Sequence, residues 1–123
     1  MDALSILARE KAPEIRNHHI CAALVHKHKE IISIGYARRK SHPLQARFGA
    51  DEYKIYLHAE VDALIKGLRL GYKPSKKYTQ VYIARTKKPF SGAENWIPGL
   101  GKPCPGCISF IDHCNISQVF YTR

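Results

Sequence analysis

The stretches that decide the fold of this chain are residues 58–68, HAEVDALIKGL, and residues 103–107, PCPGC. Apolar residues recur at helical spacing through the first stretch, which predicts a helix with His58 and Glu60 in its first turn. The second stretch predicts a helix that begins at Pro105, because proline is well suited to the first helical position. A helix N-terminus favours thiolate over thiol, so the cysteines of the second stretch are placed for metal binding.

The side chains of these two stretches form a set of zinc ligands. His58, Cys104 and Cys107 supply one imidazole and two thiolates, which suit Zn²⁺ and leave its fourth tetrahedral position for water, as in a catalytic site. Glu60 lies two residues from His58 and so on a different helix face, and we expect it to reach the water and the substrate without binding the metal. The set predicts hydrolytic deamination with one zinc ion per chain. Glu60 would take a proton from the activated water and return it to a ring nitrogen and the leaving ammonia.

Each motif taken alone has an ordinary interpretation. A C-x-x-C pair occurs as a redox pair or as half of a structural zinc knuckle, and H-x-E occurs as a helix start with an exposed acid. Here the two motifs occur together, in this order, and are separated by roughly 45 residues that contain one strand-like run. The combination favours a deaminase-type zinc site over either ordinary interpretation.

The segments around the motifs alternate between helical and strand patterns. In chain order we expect a helix over residues 2–17 that is interrupted or ended near Pro13, strands over 20–25 and 31–36, the motif helix ending near Gly71, a strand over 79–85, a helix from Pro105 to about Cys114, and a strand over 118–121. The polar link at 26–30 predicts an antiparallel hairpin, and residues 37–57 and 88–103 are expected to be loops. The order αββαβαβ predicts a three-layer α/β/α sandwich with zinc between the starts of two helices.

The motifs and the order of elements resemble the zinc-dependent cytidine and deoxycytidylate deaminase superfamily, whose signature is H-x-E followed by P-C-x-x-C. The likeness covers most of the chain and is closest in look to small deoxycytidylate-deaminase-like proteins. It implies a cytidine deaminase-like catalytic domain over residues 1–123. It also implies functional roles for five residues: zinc binding by His58, Cys104 and Cys107, proton transfer by Glu60, and a contact from the backbone N–H of Ala59 to the ring carbonyl of the substrate.

The sequence departs from this superfamily in two respects. Many members continue beyond the fourth strand with another helix and often a fifth strand, whereas this sequence stops at Arg123 and lacks that extension. The last strand is therefore expected at a sheet edge, and an open edge favours a homo-oligomer. Deoxycytidylate-type members commonly carry an asparagine that contacts the sugar just after the second strand, where this chain has Ala37. Sugar recognition must then come from elsewhere, or the substrate differs.

Length and composition agree with a small enzyme of the cell interior. The chain has 123 residues, the size of one domain, and 45% of them are hydrophobic. The sequence has no stretch that is long and apolar enough to span a membrane and no apolar core of a signal peptide, so we expect a cytoplasmic protein without membrane contact. Cys21 and Cys114 are expected to be buried free thiols.

The net charge of +10 is the best remaining indication of the substrate. Basic clusters bind a nucleotide phosphate or a polynucleotide backbone, or they are solvated surface. Arg38, Arg39 and Lys40 lie in a loop that such folds place over the active site, so they are candidates for binding phosphate. His42 is a candidate for facing the pocket. Trp96 precedes the cysteine motif and is either a wall of the pocket or a buried anchor of its loop.

Three functions follow from these observations. The leading hypothesis is zinc-dependent deamination of a cytosine nucleoside or nucleotide, deoxycytidylate-like, to the uracil product and ammonia, as a step of nucleotide metabolism. A second hypothesis is a deaminase that acts on an unpaired base in single-stranded DNA or RNA, which the net charge and the loop aromatics favour. The third is a non-catalytic binding subunit stabilised by zinc, against which the presence of Glu60 argues.

Overall fold

The computed structural model describes residues 2–11, 18–37, 58–88, 96–101, 103 and 105–123. These residues form three helices and five strands, in the order α1 Asp2–Lys11, β1 His18–His26, β2 Glu30–Tyr36, α2 Ala59–Arg69, β3 Thr79–Lys87, β4 Ile97–Gly99, α3 Pro105–His113 and β5 Gln118–Tyr121. The predicted order αββαβαβ is confirmed, with β4 as an additional strand in a stretch expected to be a loop. The predicted extension of α1 to residue 17 lies outside the described residues. None of the three helices is long and apolar enough to cross a membrane.

The five strands form one sheet. β1 lies between β2 and β3 and is antiparallel to both, so the predicted hairpin is present. The other side of β3 pairs with two short strands, since β4 runs antiparallel beside residues 85–87 and β5 runs parallel beside residues 80–83. Among the described strands β5 pairs only with β3 and so lies at the sheet edge. The homo-oligomer expected from that edge stays a prediction.

Thr122 joins the two short strands into one continuous partner for β3. Its Oγ1 donates a hydrogen bond to the carbonyl of Gly99 at 2.7 Å and accepts the backbone N–H of Arg85 at 3.0 Å. Its backbone carbonyl accepts the N–H of Gly101 at 2.8 Å. The chain that leads into α3 is therefore fixed to the sheet just before the cysteine motif.

Helices cover both faces of the sheet. On one face α2 and α3 form a single apolar core with β1 and β3, whose buried members include Ala22, Leu24, Ala63, Leu64, Val81, Ile83, Phe110 and Ile111. On the other face α1 packs against β1 and β3, and Sγ of Cys21 donates to the carbonyl of Leu4 at 3.3 Å. Because β1 lies between two helical layers, it is buried continuously from Cys21 to Val25. The predicted three-layer sandwich is confirmed.

The two cysteines outside the motif are free thiols, as predicted. Cys21 is fully buried, and burial raises the pKa of its thiol to about 12. Cys114 is half-buried rather than buried, and partial burial also raises the pKa of its thiol. Both thiols are therefore protonated at neutral pH and are poor nucleophiles and poor metal ligands.

Helix α2 contacts strand β2 without an intervening side chain at Gly35. A Cβ atom at Gly35 would overlap the backbone nitrogen of Ala63 and the carbonyl oxygen of Ala59. Next to this contact, Oγ of Ser33 donates to the carbonyl of Ala63 at 2.6 Å. The close approach fixes the first turn of α2, and with it the residues of the first motif, relative to the sheet.

An ion pair on α2, between a buried Asp62 and a partly exposed Lys66, forms hydrogen bonds to β2 on the side away from β1. Asp62 and Lys66 pair at 3.0 Å, and the Asp62 side chain is 8% exposed. The carboxylate accepts the backbone N–H of Tyr36 at 3.0 Å, and the ammonium donates to the carbonyl of Ile34 at 3.0 Å. The pair therefore fixes the orientation of α2 about its contact at Gly35.

Candidate zinc and catalytic site

His58 is the residue immediately before α2, not a member of its first turn. Its backbone is extended, with φ −78° and ψ 151°, and its side chain does not cap the helix. Its carbonyl accepts the N–H of Asp62 at 2.9 Å, which is the first helical hydrogen bond. The imidazole instead contacts α3, where Nδ1 lies 2.9 Å from Sγ of Cys107. The boundary differs from the prediction by one residue, and this difference directs the ring towards the second motif.

Cys107 supplies the sulfur of the site. It is the third residue of α3, which begins at Pro105 as the sequence predicted, and it is fully buried within the common core of α2 and α3. The sulfur donates a hydrogen bond to Glu60 and is therefore a thiol in this structure, and the positive end of the α3 dipole would favour the thiolate that metal binding requires. Cys104, the other predicted thiolate, lies outside the described residues.

Glu60 lies beside these two groups in the first turn of α2. Its Oε1 is 3.7 Å from Nδ1 of His58, and the residue is only 4% exposed. The i, i+2 spacing predicted that His58 and Glu60 would face different ways. The extended backbone of His58 removes that separation, because the i, i+2 rule holds only for two residues that are both helical.

The charge state of Glu60 results from two opposing effects. Burial by itself would raise its pKa, but the hydrogen bond and the charge of His58, together with a hydrogen bond from Cys107, outweigh burial and hold the pKa of Glu60 below its ordinary value. The group is therefore a buried carboxylate next to a nitrogen and a sulfur. Such a group is ready to accept a proton.

The three side chains fit one Zn²⁺ ion. Their ligand atoms all lie within 4.8 Å of one another. Zinc bonds of about 2.0 Å to nitrogen and about 2.3 Å to sulfur can bridge the 2.9 Å between His58 and Cys107. Imidazole and thiolate are donors that zinc prefers, whereas magnesium and calcium prefer oxygen. The chemistry of the donors therefore agrees with the zinc prediction.

The other predicted site residues are distributed as follows. Arg38, Arg39, Lys40 and His42 lie outside the described residues. Ala59 is the first residue of α2, where a backbone N–H has no acceptor within the helix. The indole of Trp96 packs against the ring of His19, with centroids 4.4 Å apart, and the Nζ of Lys88 lies 5.1 Å from the indole centroid. These contacts show the indole packed at the sheet, and its predicted contact with substrate stays a prediction.

Arg85 is a candidate substrate-binding residue that the sequence interpretation missed. Along β3 the side chains of Val81, Ile83 and Arg85 share the face covered by α2 and α3. Ile83 pairs with Ala22, Ala22 pairs with Gly35, and α2 begins beside Gly35. Arg85 is two residues beyond Ile83 and so lies about 7 Å further along the same face. The sequence did contain a signal for Arg85: alternate residues of a strand share a face, so Arg85 is the cation at the end of the apolar row of Val81 and Ile83.

The guanidinium of Arg85 is held in place by His18 and a backbone carbonyl. Its Nε and one terminal nitrogen lie 3.2 and 2.9 Å from the two ring nitrogens of His18, and the other terminal nitrogen donates to the carbonyl of Leu100 at 3.2 Å. Partial burial, and then the positive charges of Arg85 and Lys87, lower the pKa of His18. A neutral imidazole accepts a hydrogen bond from the guanidinium and adds no positive charge beside it.

The class of protein follows from this fold and this site. The family model described as the cytidine and deoxycytidylate deaminase zinc-binding region matches residues 1–123, so the chain belongs to this family of zinc-binding deaminases. Members of such a family are hydrolases that act on nucleosides or nucleotides. The predicted resemblance is confirmed.

Comparison with solved structures gives a particular likeness. The chain is similar to the dCMP deaminase from the cyanophage S-TIM5, solved in its apo form, with a TM-score of 0.60 and 19% sequence identity over 98% of this chain and 79% of that chain. At this level of identity the likeness shows the fold, which is cytidine deaminase-like. A comparison with curated proteins found no match.

Proposed function

We propose that this protein deaminates a cytosine nucleotide, deoxycytidylate-like, to the uracil product and ammonia. The observation that carries the proposal is the cluster of His58, Glu60 and Cys107 at the meeting point of two helix N-termini. The family and the fold of the cyanophage dCMP deaminase support the same reaction class. Residues 1–123 would then form one catalytic domain.

The residues of the site divide into metal ligands and a proton carrier. In this proposal His58 and Cys107 hold the zinc together with Cys104. When bound, zinc supplies a water of lowered pKa, and so a nucleophile at neutral pH. Glu60 accepts one proton from the water and delivers it to the ring nitrogen. It then takes the proton of the added hydroxyl and gives it to the amino group, so that ammonia leaves and the carbonyl forms. Because Glu60 is 4% exposed, bulk water does not compete for that proton. The N–H of Ala59, at the positive end of α2, donates to the ring carbonyl.

Arg85 supports a phosphorylated substrate. Its guanidinium lies on the same sheet face as the metal cluster, at the end of the sheet where α2 begins, and it is oriented by two partners. A guanidinium binds phosphate through two parallel N–H donors. The cluster of Arg38, Arg39 and Lys40 is proposed to add charge to the same phosphate.

Deamination of an unpaired base in single-stranded nucleic acid is the second candidate. The net charge of +10 favours it, because such a charge attracts a polyanion as readily as a monophosphate. The two candidates differ in the size of the substrate and not in the chemistry of the zinc site.

Product analysis by mass spectrometry tests the proposal. Zinc-loaded protein is incubated with free bases, nucleosides, monophosphates and single-stranded DNA and RNA, and protein stripped of zinc by a chelator is the control. We expect cytosine monophosphates to be converted by the zinc-loaded protein only. Conversion of the oligonucleotides alone would establish the second candidate. No conversion of any substrate, with zinc bound, would favour a non-catalytic binding subunit.

Replacing Arg85 by glutamine tests the phosphate contact. We expect KM for the monophosphate to rise about 10- to 100-fold, which corresponds to one lost charge-assisted bidentate contact, with kcat little changed. KM for the corresponding nucleoside should stay near the parent value, and Arg85→Lys should restore part of the loss. Arg69→Gln, which removes an exposed guanidinium at the other end of α2, is the matched control. Equal losses for nucleoside and monophosphate would show that Arg85 is only structural.

A further inference from the structure

A second basic and aromatic region includes the end of the sheet away from the zinc cluster and part of the sheet face opposite α2. We call it the distal surface and define it by four rings and four lysines: His28, Tyr78, Tyr82, Phe120, Lys27, Lys29, Lys76 and Lys77. The row of residues beside the start of α2 contains Ala22, whereas β1 ends at His26, so the turns that carry the lysines lie about 13 Å further along the strand. Tyr82 pairs with Ala23 and Phe120 pairs with Tyr82, so these two rings lie only one residue along from that row but on the opposite face of the sheet. The proposed deaminase reaction uses none of the distal residues.

The rings of His28, Tyr82 and Phe120 form one group, which we call the platform, while Tyr78 contacts His26 with centroids 5.9 Å apart. Tyr82 and Phe120 stack with centroids 5.0 Å apart and an interplanar angle of 21°. The ring of His28 closes the group, 5.7 Å from Phe120 and with Nδ1 2.8 Å from the hydroxyl of Tyr82. Phe120 is 42% exposed although it lies in a strand. An exposed phenyl ring on a rigid stack offers a face for another flat ring.

The platform is held rigidly. The turn that carries His28 is fixed because its N–H donates to Oε1 of Gln80 at 2.7 Å, and because the N–H of Lys27 donates to the carbonyl of Tyr78 at 2.7 Å. Lys27 and His28 both have positive φ angles, 54° and 58°, a backbone conformation that residues other than glycine and asparagine rarely adopt. Gln118 of β5 donates to the carbonyls of Lys76 and Lys77 at 3.0 and 3.3 Å. Both turns are therefore held against the strands that carry the rings.

The charge around the platform is predominantly positive. Residues 27–30 and 70–78 contain five lysines and one acidic residue, Glu30. The ammonium groups of Lys27 and Lys77 both lie over the ring of Tyr78, at 5.0 and 5.3 Å from its centroid. Two like charges around one ring that is 39% exposed repel each other, and a bound anion would remove that cost.

We propose that the distal surface binds single-stranded nucleic acid. An unpaired base would stack on the exposed ring of Phe120, while the lysines of the two turns contact the phosphates. Exposed rings interleaved with cations are the combination by which proteins bind single strands without sequence preference. An acidic protein partner would use the lysines but not the flat faces of the rings, so nucleic acid fits the surface better. The proposal does not depend on which substrate the zinc site takes.

Fluorescence anisotropy with a labelled oligothymidylate of about 12 nucleotides tests this proposal. We expect Phe120→Ala to weaken binding about 5- to 100-fold, which corresponds to the loss of one stacked base. The double variant Lys76→Gln with Lys77→Gln should reduce the slope of log affinity against log salt by about 1.4. A duplex of equal length should bind more weakly than the single strand, because its bases are not available for stacking.

The matched control is the double variant Arg9→Gln with Lys11→Gln, which removes the same charge from exposed positions on α1. If it changes the salt slope as much as the lysine variant does, binding is diffuse and the proposal is wrong. Parent affinity in Phe120→Ala, with an unchanged thermal melt, would also overturn it, as would no binding at low salt. Phe120→Tyr, which keeps the ring, should retain parent affinity. Phe120→Ala should leave mononucleotide turnover unchanged. The turnover assay therefore tests the proposed deamination independently of nucleic-acid binding at the distal surface.

Discussion

Replacement of Glu60 by glutamine is expected to abolish turnover while zinc stays bound. Glutamine keeps the shape of the buried side chain and its contacts with the core, but it cannot accept a proton. Proton transfer by a positioned side chain contributes roughly 10²- to 10⁴-fold to a rate, so we expect kcat to fall by about that factor. KM should change much less. The measurement is steady-state kinetics on whichever mononucleotide the parent converts fastest.

Two further readouts make this result specific. The zinc content should stay at one ion per chain, because the proposed ligands are His58, Cys104 and Cys107. The thermal melt should stay near that of the parent, since one amide replaces one carboxylate of equal size. Turnover at the parent rate with zinc bound would refute the proton-transfer role. A parallel loss of zinc would instead make Glu60 a ligand.

Replacement of Gly35 by alanine is expected to destabilise the fold and to remove the zinc site. The added methyl would overlap backbone atoms of Ala59 and Ala63, and backbone cannot move aside as a side chain can. We expect a loss of at least about 3 kcal/mol in the free energy of unfolding, the upper part of the range for overpacked interfaces. Because Ala59 lies between His58 and Glu60, displacement of α2 also separates the zinc ligands. Urea unfolding and zinc analysis of the purified variant measure both effects.

Gly67→Ala provides the matched control, since it adds the same methyl on the same helix. There the new Cβ would meet side-chain atoms and no backbone, namely Cδ2 of Leu24 at 2.5 Å and Oγ of Ser33 at 3.3 Å, and side-chain ends can shift more easily than backbone. Alanine is also a better helix former than glycine by about 1 kcal/mol, so the net change should be small. Equal losses for Gly35→Ala and Gly67→Ala would mean that the close backbone approach at Gly35 has no special role.

The helices of the site were predictable because their signals are local. The apolar period after His58 and the proline at Pro105 located both helix starts within one residue. The one-residue error at His58 has a local cause, because histidine is not among the side chains that mark an N-cap. Strand β4 was missed because Ile97-Pro98-Gly99 contains the two residues that weaken strand patterns. Pro98 is accommodated because β4 is short and lies at the edge of β3, a position that tolerates proline.

The remaining features depend on pairing between distant segments. Arg85 lies on the sheet face that carries α2, beyond the row of Gly35, only because β3 lies beside β1, which lies beside the strand that carries Gly35. Likewise, Phe120 and Tyr82 stack because β5 runs parallel to β3 in one particular register. Composition indicated a basic protein, but it did not separate cations near the zinc site from those at the distal surface.

The ion pair of Asp62 and Lys66 has a consequence for solubility. An outer strand with unpaired N–H and C=O groups is a template for a strand from another molecule, which is a route to aggregation. At β2 the backbone N–H of Tyr36 and the carbonyl of Ile34 are already hydrogen-bonded to α2, the helix that carries Glu60. A mutation that loosens α2 would therefore disturb the proposed catalytic site and expose this strand edge to other molecules in one step. One helix of 11 residues carries both the proposed proton carrier and the ion pair that protects the edge, so natural variation in it should be constrained by more than the proposed catalysis.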